Sequence, residues 1–187
     1  MKRSNINLRW RLAIFVVVSV TFALIGVTAC EEPDQLMEIS SLAPDFTVTV
    51  YNRESFLTGP ETISLSDLHG KAVVVNFWAP LCPPCRAEMP EFENIWREFK
   101  SEDLVILGVD VGTYTGLGSP DQALDFVEDI GITYPTGQAS NGKVVTDYQV
   151  LGMPTTVFIN ADGRLIRKWI GSINEKKLRE LVSELLQ

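Results

Sequence analysis

The run AVVVNFWAPLCPPCRAEMPEFENIWREFK, residues 72–100, joins an apolar strand to a helix through two cysteines. Its first seven residues, Ala72 to Trp78, are apolar and β-branched almost throughout, the pattern of a strand covered on both faces in an α/β sheet. From Pro83 onward, Met89, Phe92, Ile95, Trp96 and Phe99 recur at spacings of three and four. That period predicts one amphipathic helix to Lys100, with Glu91, Glu93, Arg97 and Lys100 facing water and a bend at Pro90. The run LVILGV at 104–109 repeats the buried-strand pattern, so strand, helix and strand form a right-handed crossover with two parallel strands.

Cys82-Pro83-Pro84-Cys85 sits between the strand and the helix, and that placement carries the chemistry. A thiolate at a helix N-terminus faces unpaired backbone N–H groups and the positive end of the macrodipole, both of which lower its pKa. Cys82 is therefore the expected nucleophile. Cys85, one turn on, is placed to resolve a mixed disulfide by displacing the substrate thiol. With Cys82 as N-cap, Pro84 removes the donor at the second helical position and leaves mainly the N–H of Cys85 for the sulfur. Weaker thiolate stabilisation favours the disulfide form, which makes the pair a reductant with a potential expected near about −270 mV. Two structural readings stand beside this one. A closed zinc site needs four ligands, and the chain offers only Cys82, Cys85, Cys30 and the single histidine, His69. A purely structural disulfide at this spacing would close one helical turn and remove little loop entropy. The expectation is a redox-active Cys82–Cys85 disulfide, no metal and no other cofactor, with no catalytic role for His69.

Working outward, FTVTV at 46–50 alternates with period two and, with Ile63 to Leu65, suggests an N-terminal hairpin. Ser119, Pro120 and Gln122 supply an N-cap, a first-turn proline and a capping-box partner for a helix ending near Ile130 and Gly131. Thr155 to Ile159 and Arg164 to Ile170 flank turn residues 160–163, an antiparallel hairpin. Ser172 with Glu175 is expected to cap a last helix built on Leu178, Leu181, Val182 and Leu185.

The N-terminus reads differently from the rest. Residues 1–30 hold Lys2, Arg3, Arg9 and Arg11 and no acid, and the 18 residues from Leu12 to Ala29 carry no charge. This is a signal h-region or a short membrane anchor with its basic flank inside. Cys30 follows Val27-Thr28-Ala29, which resembles a bacterial lipobox, so lipidation of Cys30 is expected, with an uncleaved anchor as the alternative. Residues 31–43 are acidic and lack a period, as expected of a tether, leaving 44–187 as one domain. Beyond residue 30 there are 12 basic against 24 acidic residues, a net of −12. That charge excludes a phosphate backbone as partner and points to protein substrates.

Together, Asn76-Phe77-Trp78-Ala79-Pro80-Leu81-Cys82-Pro83-Pro84-Cys85-Arg86-Ala87-Glu88-Met89-Pro90 and Gly152-Met153-Pro154-Thr155-Thr156 resemble the TlpA/ResA type of membrane-tethered thioredoxin. The resemblance spans about residues 43–187. It implies a thioredoxin-like α/β fold, a central mixed sheet flanked by helices with an N-terminal hairpin extension. It also implies a cis Met153–Pro154 bond, with Pro154 facing Cys82 and the Met153 backbone open to an extended substrate segment. Where thioredoxin has a buried Asp, this chain has Asn76, which exchanges no proton near neutral pH. Glu88 matches the glutamate of the family's C-x-x-C-x-x-E pattern and is the expected general acid/base. Leu81 stands where the family usually has Trp, so Trp78, Pro80, Leu81 and Met153 are expected to form an aliphatic-rimmed docking surface.

The function this implies is reduction of cysteine pairs outside the cytoplasm, as in haem attachment during cytochrome c maturation, with electrons from a membrane thiol carrier. A thioredoxin-fold peroxidase and a copper-binding assembly factor are the alternatives. The first resembles P-x-x-x-T-x-x-C, which residues 76–81 do not supply in register, and the second needs a loop histidine that the sequence lacks.

Overall fold

A computed structural model describes residues 36–52 and 61–187, and the expectations for residues 1–30, Cys30 included, lie outside them. Eight strands among these residues, β1 (Leu36–Leu42), β2 (Thr47–Val50), β3 (Thr62–Ser64), β4 (Ala72–Trp78), β5 (Leu104–Asp110), β6 (Thr136–Ala139), β7 (Thr155–Ile159) and β8 (Arg164–Ile170), form one mixed sheet in the order β1-β8-β7-β4-β5-β6-β2-β3. Strand β4, Ala72–Trp78, lies near the middle, parallel to β5 (Leu104–Asp110) and antiparallel to β7 (Thr155–Ile159). Every residue of β4 and β5 is buried, as their largely apolar sequences predict, and the burial takes Asn76 and Asp110 in with the rest. Period two divides β4 between two cores. Val74 and Trp78 pack with Met89, Phe92 and Ile95 of helix α1 (Pro83–Phe99), while Val73, Val75 and Phe77 pack with Val105, Leu107, Val157 and Tyr148. Burial of each such side chain contributes about 1.5–3 kcal/mol, so the strand that leads into the cysteines also anchors both layers.

Several expected elements form as read. Strand β2 (Thr47–Val50) pairs antiparallel with β3 (Thr62–Ser64), and β8 (Arg164–Ile170) pairs antiparallel with β7. After the single turn α2 (Gly112–Thr115), helix α3 (Pro120–Asp129) opens on the Ser119–Gln122 capping box. Helix α1 runs unbroken through Pro90.

Other readings are corrected. Residues 36–42, expected within a tether, form strand β1, which pairs antiparallel with β8 and covers that edge of the sheet. The last helix, α5 (Glu175–Leu185), is capped by Asn174 accepting from the Lys177 N–H, and not by Ser172. Strand β6 (Thr136–Ala139) and helix α4 (Lys143–Asp147) were not legible in the sequence. In β6, Gly137 lies so close to β2 that a side chain there would overlap the Thr49 carbonyl. Gly137 is what this close approach requires, and the strand TGQA carries no hydrophobic period. Glu93, expected to face water, is buried. Its carboxylate accepts from the Thr133 N–H (2.7 Å), the Thr133 hydroxyl (2.6 Å) and Arg97 Nε (2.7 Å), clipping α1 to the loop that enters β6.

Candidate active site

Strand β4 ends at Trp78, and the four residues that follow are held from three sides. The Leu81 N–H donates to the Leu117 carbonyl (2.9 Å) and the Cys82 N–H to the Ala79 carbonyl (3.2 Å). Arg86 Nη1 donates to the Pro80 carbonyl (3.2 Å), and its guanidinium lies 3.8 Å from the centre of the Phe126 ring. Phe126 in turn packs against Trp78 with ring centres 5.9 Å apart. Side chains at Gly112 and Gly118 would collide with the Pro80 ring, so the loop on the other side of Pro80 is built from glycine.

This scaffold delivers Cys82 to the N-cap of α1. Its backbone is extended, Pro83 and Pro84 occupy the first two helical positions, and the Cys85 N–H donates to Cys82 Sγ at 3.4 Å. The two cysteines are disulfide-bonded with Cα atoms 5.3 Å apart. Cys85 is fully buried and Cys82 is 4% exposed, so of the pair only Cys82 has any exposure. With prolines at the first two helical positions, the Cys85 N–H is the one backbone donor on this sulfur to stabilise a thiolate once the disulfide is opened.

Behind the dithiol lies Glu88, one turn past Cys85 and only 3% exposed. Its Oε1 accepts from Asn76 Nδ2 (2.8 Å) and its Oε2 from the Ile173 N–H (3.0 Å). Burial pushes the Glu88 carboxyl up to about 7, against the lowering effect of the Ile173 and Asn76 hydrogen bonds, and the nearby Glu91 adds to the rise. Glu88 is thus a buried acid with a raised pKa, one helical turn from Cys85.

The expected docking surface is only partly assembled. Leu81 is 53% exposed and Met153 half-buried, but Trp78 and Pro80 are buried and cannot line a surface. Alternation along β4 puts Trp78 on the α1 side of the sheet with Val74, which is why it is core. The Met153–Pro154 bond is cis, and Pro154 is buried. Because Thr155 of β7 lies opposite Phe77, the register brings this bond to the end of β4, where the 79–82 loop starts. Met153 packs against the cluster that holds both cysteines. Leu151, which is 83% exposed just before it, adds an apolar residue that the sequence reading did not single out. His69 lies before the opposite end of β4, against Gly163.

One buried acid went unnoticed in the sequence. Asp110, the last residue of β5, accepts from the Tyr51 hydroxyl (2.7 Å) and the Gly112 N–H (2.7 Å), and burial raises its pKa. It fixes the Gly112 loop that packs on Pro80. The available signal was an acid closing a wholly apolar strand, LGVD at 107–110. Among the described residues, no three His, Cys, Asp or Glu side chains gather as metal ligands.

The sequence model of the AhpC/TSA family matches residues 39–168, more than half of the chain. The chain belongs to the AhpC/TSA family. Within it, the chain is 29% identical to the thiol-disulfide oxidoreductase ResA of Oceanobacillus iheyensis over 185 residues, 98% of this chain and 91% of that protein. It is 32% identical to the thiol-disulfide oxidoreductase ResA of Bacillus subtilis over 126 residues, 67% of this chain and 68% of that one. The crystal structure of the pneumococcal exposed lipoprotein thioredoxin Etrx1 from Streptococcus pneumoniae is similar with a TM-score of 0.65 at 26% identity, covering 76% of this chain and 100% of that one. This member of the AhpC/TSA family is a ResA-like thiol-disulfide oxidoreductase with a thioredoxin-like fold.

Proposed function

We propose that the protein is a membrane-tethered reductant of protein disulfides on the extracytoplasmic side, working through Cys82, Cys85 and Glu88. The Cys82 thiolate attacks one sulfur of a substrate disulfide and releases the other as a thiol. Cys85, its proton passed to Glu88, then attacks Cys82 Sγ and displaces the second substrate thiolate. Two electrons move to the substrate, and the protein is left as the Cys82–Cys85 disulfide for a membrane thiol donor to reduce. Leu81, Met153 and Leu151 offer apolar contacts beside Cys82, and an extended substrate segment pairs with the backbone at Met153. The TlpA/ResA resemblance directs the reading to haem-attachment cysteines of apocytochrome c. No cofactor or metal enters the cycle.

The observation that carries the direction of electron flow is the single N–H, that of Cys85, on Cys82 Sγ, with prolines at both preceding helical positions. A sulfur with few donors is a poor thiolate, and a poor thiolate favours the disulfide. Equilibration with glutathione should return a potential near about −270 mV, with reduction of insulin and apocytochrome; a value above about −180 mV would make the protein an oxidant and overturn the reading.

Tethering through residues 1–30 rests on the basic and apolar N-terminal sequence, and the similarity to an exposed lipoprotein supports lipidation at Cys30. Among the described residues no helix is long and apolar enough to cross a membrane. The intact mass of membrane-extracted protein should match a chain beginning at lipid-modified Cys30, and the mass of the full unprocessed chain would replace lipidation by an uncleaved anchor.

A further inference from the structure

Asn76 is fully buried on the face of β4 that looks toward α1. Its Nδ2 donates to Glu88 Oε1 (2.8 Å) and to Thr156 Oγ1 (3.2 Å), while its Oδ1, equally buried, has no hydrogen-bond partner. Nearly all buried polar atoms are paired, so an orphaned carbonyl beside a titrating acid asks for an explanation. This arrangement suits only one protonation state. As a carboxylate, Glu88 accepts at both oxygens, from Asn76 and from the Ile173 N–H. As an acid it must place its proton on Oε1, because Oε2 faces an N–H, and Oε1–H then meets Nδ2, donor against donor.

We propose that Asn76 is a positioning residue whose side-chain amide turns over with the protonation of Glu88, donating through Nδ2 to the carboxylate and accepting at Oδ1 from the carboxylic acid. A half-turn about Cβ–Cγ exchanges the two atoms without moving the backbone. Oδ1 then accepts from Glu88 Oε1–H and from the Thr156 hydroxyl, which serves as donor or acceptor by rotation. Thr156 stands directly opposite Asn76 in the β4–β7 register, so it is in place for both states. The orphan passes from Oδ1 to Nδ2, so one buried atom of the amide lacks a partner in each state. An aspartate here would compete for the proton, and an apolar residue would serve neither form; an amide serves both and exchanges none. The other ionisable groups facing Glu88 in the oxidised protein are Glu91 on α1 and Tyr134 in the loop before β6, since Cys85 is held in the disulfide. Asn76, Thr156 and the Ile173 N–H complete the surroundings, and none of these three titrates.

The inference rests on the acid–base reading of Glu88, and the test separates the two. In the full-length oxidised protein, nuclear magnetic resonance follows the Glu88 carboxyl carbon and the Asn76 side-chain carbonyl carbon and amide protons from pH 5 to 9. As pH falls through the Glu88 midpoint, the Asn76 carbonyl carbon should move downfield, because Oδ1 gains hydrogen bonds, and its amide protons should move upfield. Glu88→Gln presents a permanent donor at that place. Its Asn76 signals should sit at the low-pH wild-type positions at every pH. Asn76 signals at the high-pH positions in Glu88→Gln, or a carbonyl carbon unmoved while Glu88 titrates, overturn the amide turnover and leave the acid–base role standing. A Glu88 carboxyl that does not titrate in this range removes the acid–base reading and the turnover with it. Asn76→Leu should broaden or displace the pH profile of thiol exchange, whereas an unchanged profile also counts against the proposal.

Discussion

Cys82→Ser is expected to reduce disulfide reduction to the uncatalysed level, and Cys85→Ser to halt it after one exchange per chain. The difference follows from geometry. Of the two cysteines only Cys82 has any exposure, and its sulfur accepts the one helix N–H, that of Cys85, that stabilises a thiolate. A serine hydroxyl there stays protonated at neutral pH and attacks no disulfide. Cys85 is fully buried and reaches no substrate, but its Cα lies 5.3 Å from that of Cys82, within range of a sulfur already bonded to substrate. Without it the mixed disulfide persists. Non-reducing electrophoresis and intact mass should show one substrate molecule bound per Cys85→Ser chain and none bound to Cys82→Ser. Sustained turnover by Cys85→Ser would mean that a third thiol resolves the adduct. Catalysis by Cys82→Ser would remove the whole assignment.

The site was legible because three independent patterns converge on it: a buried-strand run, a helical period, and a thiol pair at their junction. The family's C-x-x-C-x-x-E pattern pointed to Glu88, and the i, i+3 relation to Cys85 puts it on the same helical face. Local reasoning failed where tertiary contacts decide. Trp78 invites a surface role as an aromatic beside a reactive loop, yet strand alternation already assigns it to the α1 core with Val74. Ser172 and Glu175 fit the capping pattern, but the chain turns later and Asn174 takes the Lys177 N–H instead. The residues of β1 resemble a tether because they lack a period, and only the open edge of β8 makes them a strand. Likewise, β6 is dictated by the closeness of the Thr49 backbone to Gly137, information that no window of sequence contains. Asp110 shows the same limit, since its partner Tyr51 is 59 positions away.

Glu88 should also make the fold less stable as pH rises, and Glu88→Gln should remove that part of the slope. The folded-state pKa is raised from 4.5 to about 7, chiefly by burial. Between these values the unfolded chain has released the proton while the folded chain keeps it, so the folded state binds more protons and stability falls with increasing pH. The favourable contribution is complete below 4.5 and is lost as pH rises through about 7, a difference of about 3 kcal/mol across the interval. Asp110, raised by its own burial, contributes a slope of the same sign in both proteins, so the difference between wild type and variant isolates Glu88. Urea unfolding of the oxidised proteins, in which neither cysteine titrates, should show wild type losing stability from pH 5 to pH 8 by more than Glu88→Gln does. Parallel curves would place the Glu88 pKa near its unfolded value. A carboxyl with that ordinary pKa would be ionised throughout the neutral range and have no proton to return when Cys85 is reduced, whereas one near 7 is half protonated where the thiols exchange. The stability slope and the proton relay are therefore two consequences of one burial, and a measurement of either constrains the other.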